Sequence, residues 1–593
     1  MCGIFGYSGN QQCNELIFQG LKRLEYRGYD SWGIAVINGE EIYQYKNTGE
    51  IREDSKLRKL PQGSVGIGHT RWATHGGVTE VNAHPHISAK GDFTLAQNGI
   101  VENFEELKKE LLKKKEKFTS QTDTEVIVKL IEREIKNKKT LREAIITAFK
   151  KLEGRNTIVV LSNSDKKIYA VRNGSPLVLG LAKDGVYLAS DTLSFSLATN
   201  KAVLLDDYDM VEINGKNVEV FNILTRKTKK IQIKELKHQF SDIEKGKFPH
   251  FMLKEIVDQR DTILLSTEYS ERDLRNVILQ AKKSKRVYTI GAGTAGFSAA
   301  QIAYYLRVIA GIDAQEIKSY EFRSYLPLVK RDDLVIALSQ SGETADTIEA
   351  VEEMKKRGCK IASLVNMYGT TLSRISDFEF YTNSGPEICV ASTKVFTAQC
   401  SWGYLLAMSI AKKYREGKRN LKSLSKEIAK LFRKESFTKI KDVVKHIVKK
   451  ESFFILGKGE NFAIALEGAL KIKEISYKHV EGFAAGELKH GVIALIERGT
   501  PVFGIIPSEK DSSDDLLSAM EQVKARGAFT VGVGPKGFSK KKVFDRYITT
   551  PQVGNISSIG NVIPFQLISY FLSVKLGNNI DKPRNLAKSV TVK

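Results

Sequence analysis

Residues 334–344 read Leu-Val-Ile-Ala-Leu-Ser-Gln-Ser-Gly-Glu-Thr. Five consecutive apolar residues suit a strand buried on both faces, as in a parallel sheet covered by helices. Ile348, Val351 and Met354 then recur at helical spacing, and Gly358 supplies a stop. A strand that runs through hydroxyls and a glycine into a helix is suited to anions, because the first helical amides lack internal partners. One hydroxyl suffices for an N-cap, whereas Ser339, Ser341 and Thr344 supply three. The segment predicts an α/β fold with an anion cradle.

Working outward, the pattern occurs twice. Val287-Tyr288-Thr289-Ile290-Gly291-Ala292-Gly293 has a counterpart in Phe453-Phe454-Ile455-Leu456-Gly457-Lys458-Gly459. Met354-Lys355-Lys356-Arg357-Gly358 has one in Val523-Lys524-Ala525-Arg526-Gly527, at nearly the same spacing. Each copy returns to an apolar run, at 361–365 and 529–533, so each reads strand, helix, strand, helix, strand. The second copy has Ser508-Glu509-Lys510-Asp511 at the cradle position, without the glycine and with added acids. Only the first copy is expected to hold an anion.

Residues 1 to about 220 differ, with short strand runs such as 33–37 and 157–161. Two helical stretches, near Asn103–Glu116 and Thr124–Lys136, interrupt them. The basic segment 222–250 reads as an exposed connector. With 593 residues the chain is too long for one core. Its net charge of +23 invites a nucleic-acid reading, yet the basic residues lie in scattered short runs such as 113–115 and 226–230. Solvated helix faces account for them better, without aromatic interleaving or a nucleic-acid motif. The five cysteines, Cys2, Cys13, Cys359, Cys389 and Cys400, form no CxxC pair, which favours free thiols in a reducing compartment. Residues 562–576 fall short of the roughly 20 that cross a membrane and read as a buried helix. No signal-peptide pattern opens the chain. A cytoplasmic protein without nucleic-acid or membrane partners is expected.

The chain starts Met1-Cys2-Gly3-Ile4-Phe5-Gly6. Removal of Met1 would free the Cys2 α-amine, which titrates near pH 8 and can take the thiol proton without a histidine. A second-position cysteine alone is weak evidence. Five segments follow in order: Leu24-Glu25-Tyr26-Arg27-Gly28-Tyr29-Asp30-Ser31, His69-Thr70-Arg71-Trp72-Ala73-Thr74-His75-Gly76, Asn82-Ala83-His84-Pro85-His86, Asn98-Gly99-Ile100-Val101-Glu102-Asn103 and Thr122-Asp123-Thr124-Glu125. Together they resemble the glutaminase domain of class II glutamine amidotransferases, and within that group the isomerising glutamine–fructose-6-phosphate aminotransferase family.

For the N-terminal part the resemblance implies a four-layer αββα glutaminase domain of the N-terminal-nucleophile hydrolase type. Cys2 would be the nucleophile, with the Asn98 side chain and Gly99 backbone as oxyanion donors, each worth roughly 3 kcal/mol. Arg71, Trp72, Thr74, His75 and Asp123 would surround glutamine, Arg71 on its carboxylate and Asp123 on its ammonium. Trp72 would gate an internal ammonia channel, or it is simply a packed core residue. Asp123 also stands where a cap for the next helix would, and both readings are open. Gln97 replaces the histidine of many relatives and reads as a support for Asn98. His69, His75, His84 and His86 have no acidic or cysteine partner at ligand spacing, so no metal is expected, and 84–86 reads as a rigid loop.

Ser-x-Ser-Gly-Glu-Thr at a strand-to-helix junction resembles the sugar-isomerase (SIS) domain, and the resemblance to the aminotransferase family spans nearly the whole chain. It implies two tandem αβα SIS domains with parallel sheets. Ser339, Gln340, Ser341 and Thr344 would hold a 6-phosphate, with Thr294 and Ser392 near the sugar. Ala292 and Ala295 depart from the usual Cys and Ser. Glu467, Lys471 and Glu474 share a helix face, a spacing that by itself favours an exposed ion-pair ladder. The resemblance makes Lys471 and Glu474 catalytic, with Glu474 also touching the sugar. His490 in Gly486-Glu487-Leu488-Lys489-His490-Gly491 suits acid–base work. Lys588 in Pro583-Arg584-Asn585-Leu586-Ala587-Lys588-Ser589-Val590-Thr591-Val592 would form a Schiff base.

The implied partners are glutamine, fructose 6-phosphate and a second copy of the chain, with His490 serving the neighbouring subunit. No cofactor is implied, and no nucleotide-sugar feedback is expected because the first domain lacks a long insertion. The expected domains are 2–220 glutaminase, 221–250 linker, 251–420 and 421–575 SIS, and 576–593 a tail carrying Lys588. Two rivals stand beside this: another class II amidotransferase, and a non-enzymatic sugar-phosphate sensor. No Ser-Gly-Gly-x-Asp-Ser ATP loop and no acidic phosphoribosyl loop supports the first, and retention of Glu474, His490 and Lys588 opposes the second.

Overall fold

The computed structural model describes residues 2–236 and 244–590. Removal of Met1, the 237–243 part of the connector, and Thr591 and Val592 of the C-terminal string lie outside the described residues. The chain divides into two compact units, 1–243 with 589–593, and 244–588.

The first unit contains two antiparallel sheets. The eight-stranded sheet runs Lys234–Glu235, Lys201–Leu204, Val178–Leu181, Gly185–Ala189, Gly3–Gly9, Val65–Arg71, Ser31–Asn38, Glu41–Thr48. The six-stranded sheet runs Asn217–Asn222, Asp209–Asn214, Ile168–Arg172, Asn156–Ser162, Phe93–Gly99, His86–Ile87. Their inner faces meet in a core that includes Ile4, Ile67, Val159 and Leu161. Helix Cys13–Leu24 covers the first sheet through Ile17 and Leu21. Helices Phe104–Lys113, Thr124–Lys136 and Leu141–Phe149 cover the second. This is the expected αββα stack, with two more helices than the sequence reading named. Leu141–Phe149 carried a legible signal, the reciprocal capping box of Thr140 and Glu143. Cys13–Leu24 did not, since Gln12 makes no side-chain cap. The described part of the basic connector is mostly exposed, and Lys234–Glu235 adds an edge strand.

The second unit holds two five-stranded parallel sheets of identical order. One runs Ala314–Lys318, Val287–Gly291, Leu334–Ser339, Lys360–Val365, Phe378–Tyr381. The other runs His479–Ala484, Ser452–Gly457, Pro501–Ile505, Phe529–Gly534, Arg546–Thr549. In chain order both are 2-1-3-4-5, so strand order reverses between the first and third strands, where the rule for such sheets puts ligands. In the first copy, that point lies between Gly291 and Ser339. One core runs through both copies and includes Ile302, Phe396, Trp402, Ile464 and Phe565. Segment Gly554–Leu576 has the length and apolarity of a membrane span, yet 78% of its most apolar window is buried. Its helix Ile563–Leu576 packs in that core.

Helices Gly293–Ala310 and Lys394–Ile410 approach closely at Gly403, where an added Cβ would lie 2.2 Å from Ile302 Cγ1. Alanine for glycine inside an unconstrained helix gains about 1 kcal/mol. Gly403→Ala is expected instead to lose about 1–3 kcal/mol of stability through overpacking, read from guanidinium unfolding. A gain would show that the two helices separate freely.

Candidate active sites

In the first unit, strand Gly3–Gly9 places Cys2 at its start, beside the end of Val65–Arg71. The Cys2 Sγ accepts from the Trp72 N–H at 3.4 Å and lies 3.6 Å from the Trp72 carbonyl. Burial pushes the thiol up, while the Trp72 N–H and the Arg71 charge oppose that. The Cys2 carbonyl accepts from Asn98 Nδ2 at 3.2 Å and Arg27 Nε at 3.3 Å. Asn98 Nδ2 also donates to Ser190 Oγ at 2.8 Å, and Arg27 pairs with Asp191 at 3.2 Å. Gly99 has φ +124°, and a Cβ there would lie 2.0 Å from the Arg155 carbonyl, so only glycine fits. Gly28 likewise lets the 71–72 backbone pass close. Thus the first motif is a buttress: Arg27 on Cys2, Gly28 under Arg71 and Trp72, and Asp30 accepting the Ala73 N–H at 2.8 Å.

Asp123 occupies the N-cap position of Thr124–Lys136. Its side chain makes no cap bond and accepts the Val101 N–H at 2.9 Å. Burial raises its pKa, against the pull of the Val101 N–H and of His75. The Arg71 guanidinium binds the carbonyls of His75, Gly76 and Gly77 and shapes their loop. His75 lies edge-on to Phe104, Trp72 is half-buried, and Thr74 is exposed. Gln97 bridges Thr124 Oγ1 (2.5 Å) and Asn156 Oδ1 (2.7 Å), so its side-chain bonds run to the next helix and strand. His69, His84 and His86 bond to the Gln97 carbonyl, Thr124 and Thr122. Burial drives all three below the usual histidine range, His69 to about 3. His86 begins a short strand instead of lying in the expected loop.

In the second unit, Ser339 closes its strand and Thr344 precedes helix Ala345–Lys356. The two hydroxyls lie 3.0 Å apart. Ser339 Oγ accepts the Gly342 N–H and Ser341 Oγ accepts the Glu343 N–H. Gly342 has φ +65°, and a Cβ would collide with Thr370. Thr344 makes no cap bond, so the first amides of the helix have no side-chain cap. Gln340 is half-buried at the same turn.

The second copy closes its equivalent turn with its own carboxylate. Glu460 stands where the first copy has Thr294, three residues after the strand-ending glycine. Its Oε1 accepts both the Ser508 N–H and the Ser508 hydroxyl at 2.6 Å. The acid bound to this turn is Glu460, whereas Glu509 accepts the Ser512 hydroxyl at 2.8 Å.

The helix Phe462–Ser476 stripe is no exposed ladder. The Glu467 and Lys471 side chains are 0% exposed and that of Glu474 19%. Lys471 Nζ lies 2.7 Å from Glu474, 3.3 Å from Glu467 and 2.9 Å from Thr294 Oγ1. Thr294, at the switch point, thus joins the stripe. Burial pushes Glu467 up to about 8, against the pull of Lys471.

Lys588 is buried with its charge matched. Its Nζ donates to Glu387 Oε2 at 2.6 Å and to the Cys389 carbonyl at 2.7 Å. Ser392 Oγ donates to the same Glu387 oxygen at 2.7 Å. Glu387 escaped the sequence reading. The available signal was an acid in the short loop ahead of Ser392 and the apolar helix that follows. Lys471 feels the charge of Glu387, so the two clusters lie near each other. His490 is not brought in: it is exposed, in the turn Glu487–His490, without a hydrogen bond among the described residues.

Comparison with known proteins agrees with this division. A glutamine amidotransferase domain matches residues 69–196, and SIS domains match residues 280–409 and 446–574. The chain is 41% identical over 610 residues to a Thermococcus kodakarensis protein named glutamine–fructose-6-phosphate aminotransferase [isomerizing]. It is 40% identical over 602 residues to one of the same name from Pyrococcus horikoshii, each match covering all of both chains. The C-terminal domain of glucosamine-fructose-6-phosphate aminotransferase from Francisella tularensis superposes with TM-score 0.52 and 31% identity, covering 57% of this chain and all of that one. With a thiol held beside an amide donor in one unit, a buried lysine paired with Glu387 in the other, and full-length relatives at 40–41% identity, the chain belongs to the isomerising glutamine–fructose-6-phosphate aminotransferase family.

Proposed function

We propose that this enzyme transfers the amide nitrogen of glutamine to fructose 6-phosphate, giving glucosamine 6-phosphate and glutamate. The observation that carries the sugar chemistry is Lys588, an amine of 1% side-chain exposure that shares Glu387 with Ser392.

In the glutaminase half (2–220), Cys2 loses its thiol proton to its own α-amine and attacks the glutamine amide. Asn98 Nδ2 and the Gly99 N–H receive the oxyanion. Ammonia leaves, and water hydrolyses the thioester to glutamate. Asp123 pairs with the substrate ammonium, Arg71 takes its carboxylate, and Trp72, Thr74 and His75 complete the wall. In the SIS half (251–420 and 421–575, with the 576–593 tail), Ser339, Gln340, Ser341 and Thr344 take the phosphate, and Thr294 and Ser392 face the sugar. Lys588 forms an imine with C2, ammonia displaces it, and Glu474 moves the proton between C1 and C2. Lys471 stays charged beside Glu474 and fixes its direction. Exposed His490 fits ring opening at a site completed by a second copy, which makes the working state a homodimer.

Glutamine and fructose 6-phosphate given to the purified protein are expected to yield the amino sugar. Cys2→Ala should lose glutamine-dependent synthesis by at least about 10³-fold while keeping sugar-phosphate isomerisation. Lys588→Ala should still release glutamate but make no amino sugar. Glutamate without amino sugar from the unaltered protein would sink the synthase reading and leave a glutaminase. The acid stripe also sets a pH dependence. Glu467 holds its proton more tightly folded (about 8) than unfolded (4.5), so its contribution is complete below 4.5 and fades as pH rises toward 8. Between pH 5 and 8 the thermal midpoint should fall more steeply for the unaltered protein than for Glu467→Gln. Parallel curves would refute a raised Glu467.

A further inference from the structure

Glu387 has four donors on its two oxygens. Oε2 accepts Lys588 Nζ (2.6 Å) and Ser392 Oγ (2.7 Å), and Oε1 accepts the Thr393 (2.8 Å) and Val395 (3.1 Å) N–H groups. The last two open helix Lys394–Ile410, whose N-terminal end favours an anion. A carboxylate so held stays charged: burial opposes its ionisation, but Lys588 and these donors keep it below the usual range. Behind it, Glu255 on helix Phe251–Leu265 is 1% exposed. Its Oε1 accepts the N–H groups of Ile388 (2.5 Å) and Cys389 (3.2 Å), and its Oε2 has no partner. Glu255 therefore fixes the backbone whose Cys389 carbonyl is the second acceptor for Lys588. Burial and the neighbouring Glu387 charge push Glu255 up to about 8, so the pair carries one negative charge at neutral pH.

We propose that Glu387 is the counter-ion of the Lys588 Schiff base, and that Glu255 is the positioning residue that aims Glu387 and the Cys389 carbonyl at its nitrogen. This rests on Lys588 forming the imine. The step balances without a co-reactant. Lys588–NH₃⁺ passes one proton to Glu387, and the free amine adds to C2. That proton and a second one from nitrogen leave with the C2 oxygen as water, giving C2=NH⁺–Lys588 beside Glu387 carboxylate. Keeping the imine protonated makes C2 electrophilic toward ammonia and acidifies the C1–H bond that Glu474 must break. A facing carboxylate raises the pKa of such a cation by roughly 1–3 units. Other charged groups around the pair are Lys394, itself 3.6 Å from Asp258, Lys471 on Phe462–Ser476, and Asp581 beside the Cys389 thiol.

The test is reductive trapping by cyanoborohydride, which reduces protonated imines. The full-length protein is incubated with fructose 6-phosphate without glutamine from pH 6 to 9, and the adduct is located by peptide mapping. In the unaltered chain the adduct sits on Lys588 and persists to high pH. In Glu387→Gln, the pH at which trapping is half lost is expected to fall by at least about one unit. Glu387→Asp, which withdraws the carboxylate by one methylene, should shift the same way by less. Glu255→Gln keeps an acceptor for Ile388 and Cys389 and should trap at near-normal rates at pH 7, whereas Glu255→Leu should trap poorly with an unshifted profile. A uniform loss at every pH in Glu387→Gln, with no shift, would overturn the counter-ion. If Glu387→Gln does not fold, an unshifted Glu387→Asp profile overturns it equally. An unaltered protein that traps no adduct on Lys588 would instead remove the imine reading on which this one rests.

Discussion

Two ammonium groups, those of Lys471 and Lys588, lie out of reach of water, and an unmatched charge there costs several kcal/mol. Much of the sugar site reads as the answer to that cost. Glu474 and Glu467 flank Lys471, and Glu387 with the Cys389 carbonyl flanks Lys588. Each compensating group needs its own donors, so the demand spreads to Thr294, Ser392 and the first amides of helix Lys394–Ile410. Charges held this way cannot wander. A fixed charge beside an electrophilic carbon is preorganised before substrate arrives, and that is where enzymes gain most.

The thiol site follows a different economy. Its sulfur accepts a backbone dipole, the Trp72 N–H, and its carbonyl is shared by Asn98 and by an Arg27 guanidinium paired with Asp191. The histidines nearby are neutral and act as struts between threonines and backbone. The charges kept close, Arg71 and Asp123, match those that a free amino acid carries.

Legibility in the sequence followed from locality. The tandem α/β architecture could be read because a buried parallel strand is apolar throughout and the pattern recurs with matching glycines. The cradle could be read because its hydroxyls sit within six residues. Helix Cys13–Leu24 was passed over because it begins without a capping side chain, and Leu141–Phe149 although its box was present. Glu387 was invisible for another reason: its partner Lys588 lies 201 positions away, and no spacing rule joins them. The Glu467–Lys471–Glu474 face was visible but its meaning was not. Spacing of 4 and 3 predicts a shared face and says nothing of whether water reaches it. Asp123 was ambiguous for the same reason, since the bond that takes its carboxylate away from the helix amides runs to Val101.

Glu460 gives the duplication an outcome beyond loss. In one SIS copy a carboxylate of the chain itself holds the Ser508 N–H and hydroxyl, at the turn where the other copy has Ser339, Ser341 and Thr344. Domain duplication here leaves two versions of one turn, one built on the hydroxyls of Ser339, Ser341 and Thr344 and one tied to a carboxylate that lies 48 positions before it in the chain.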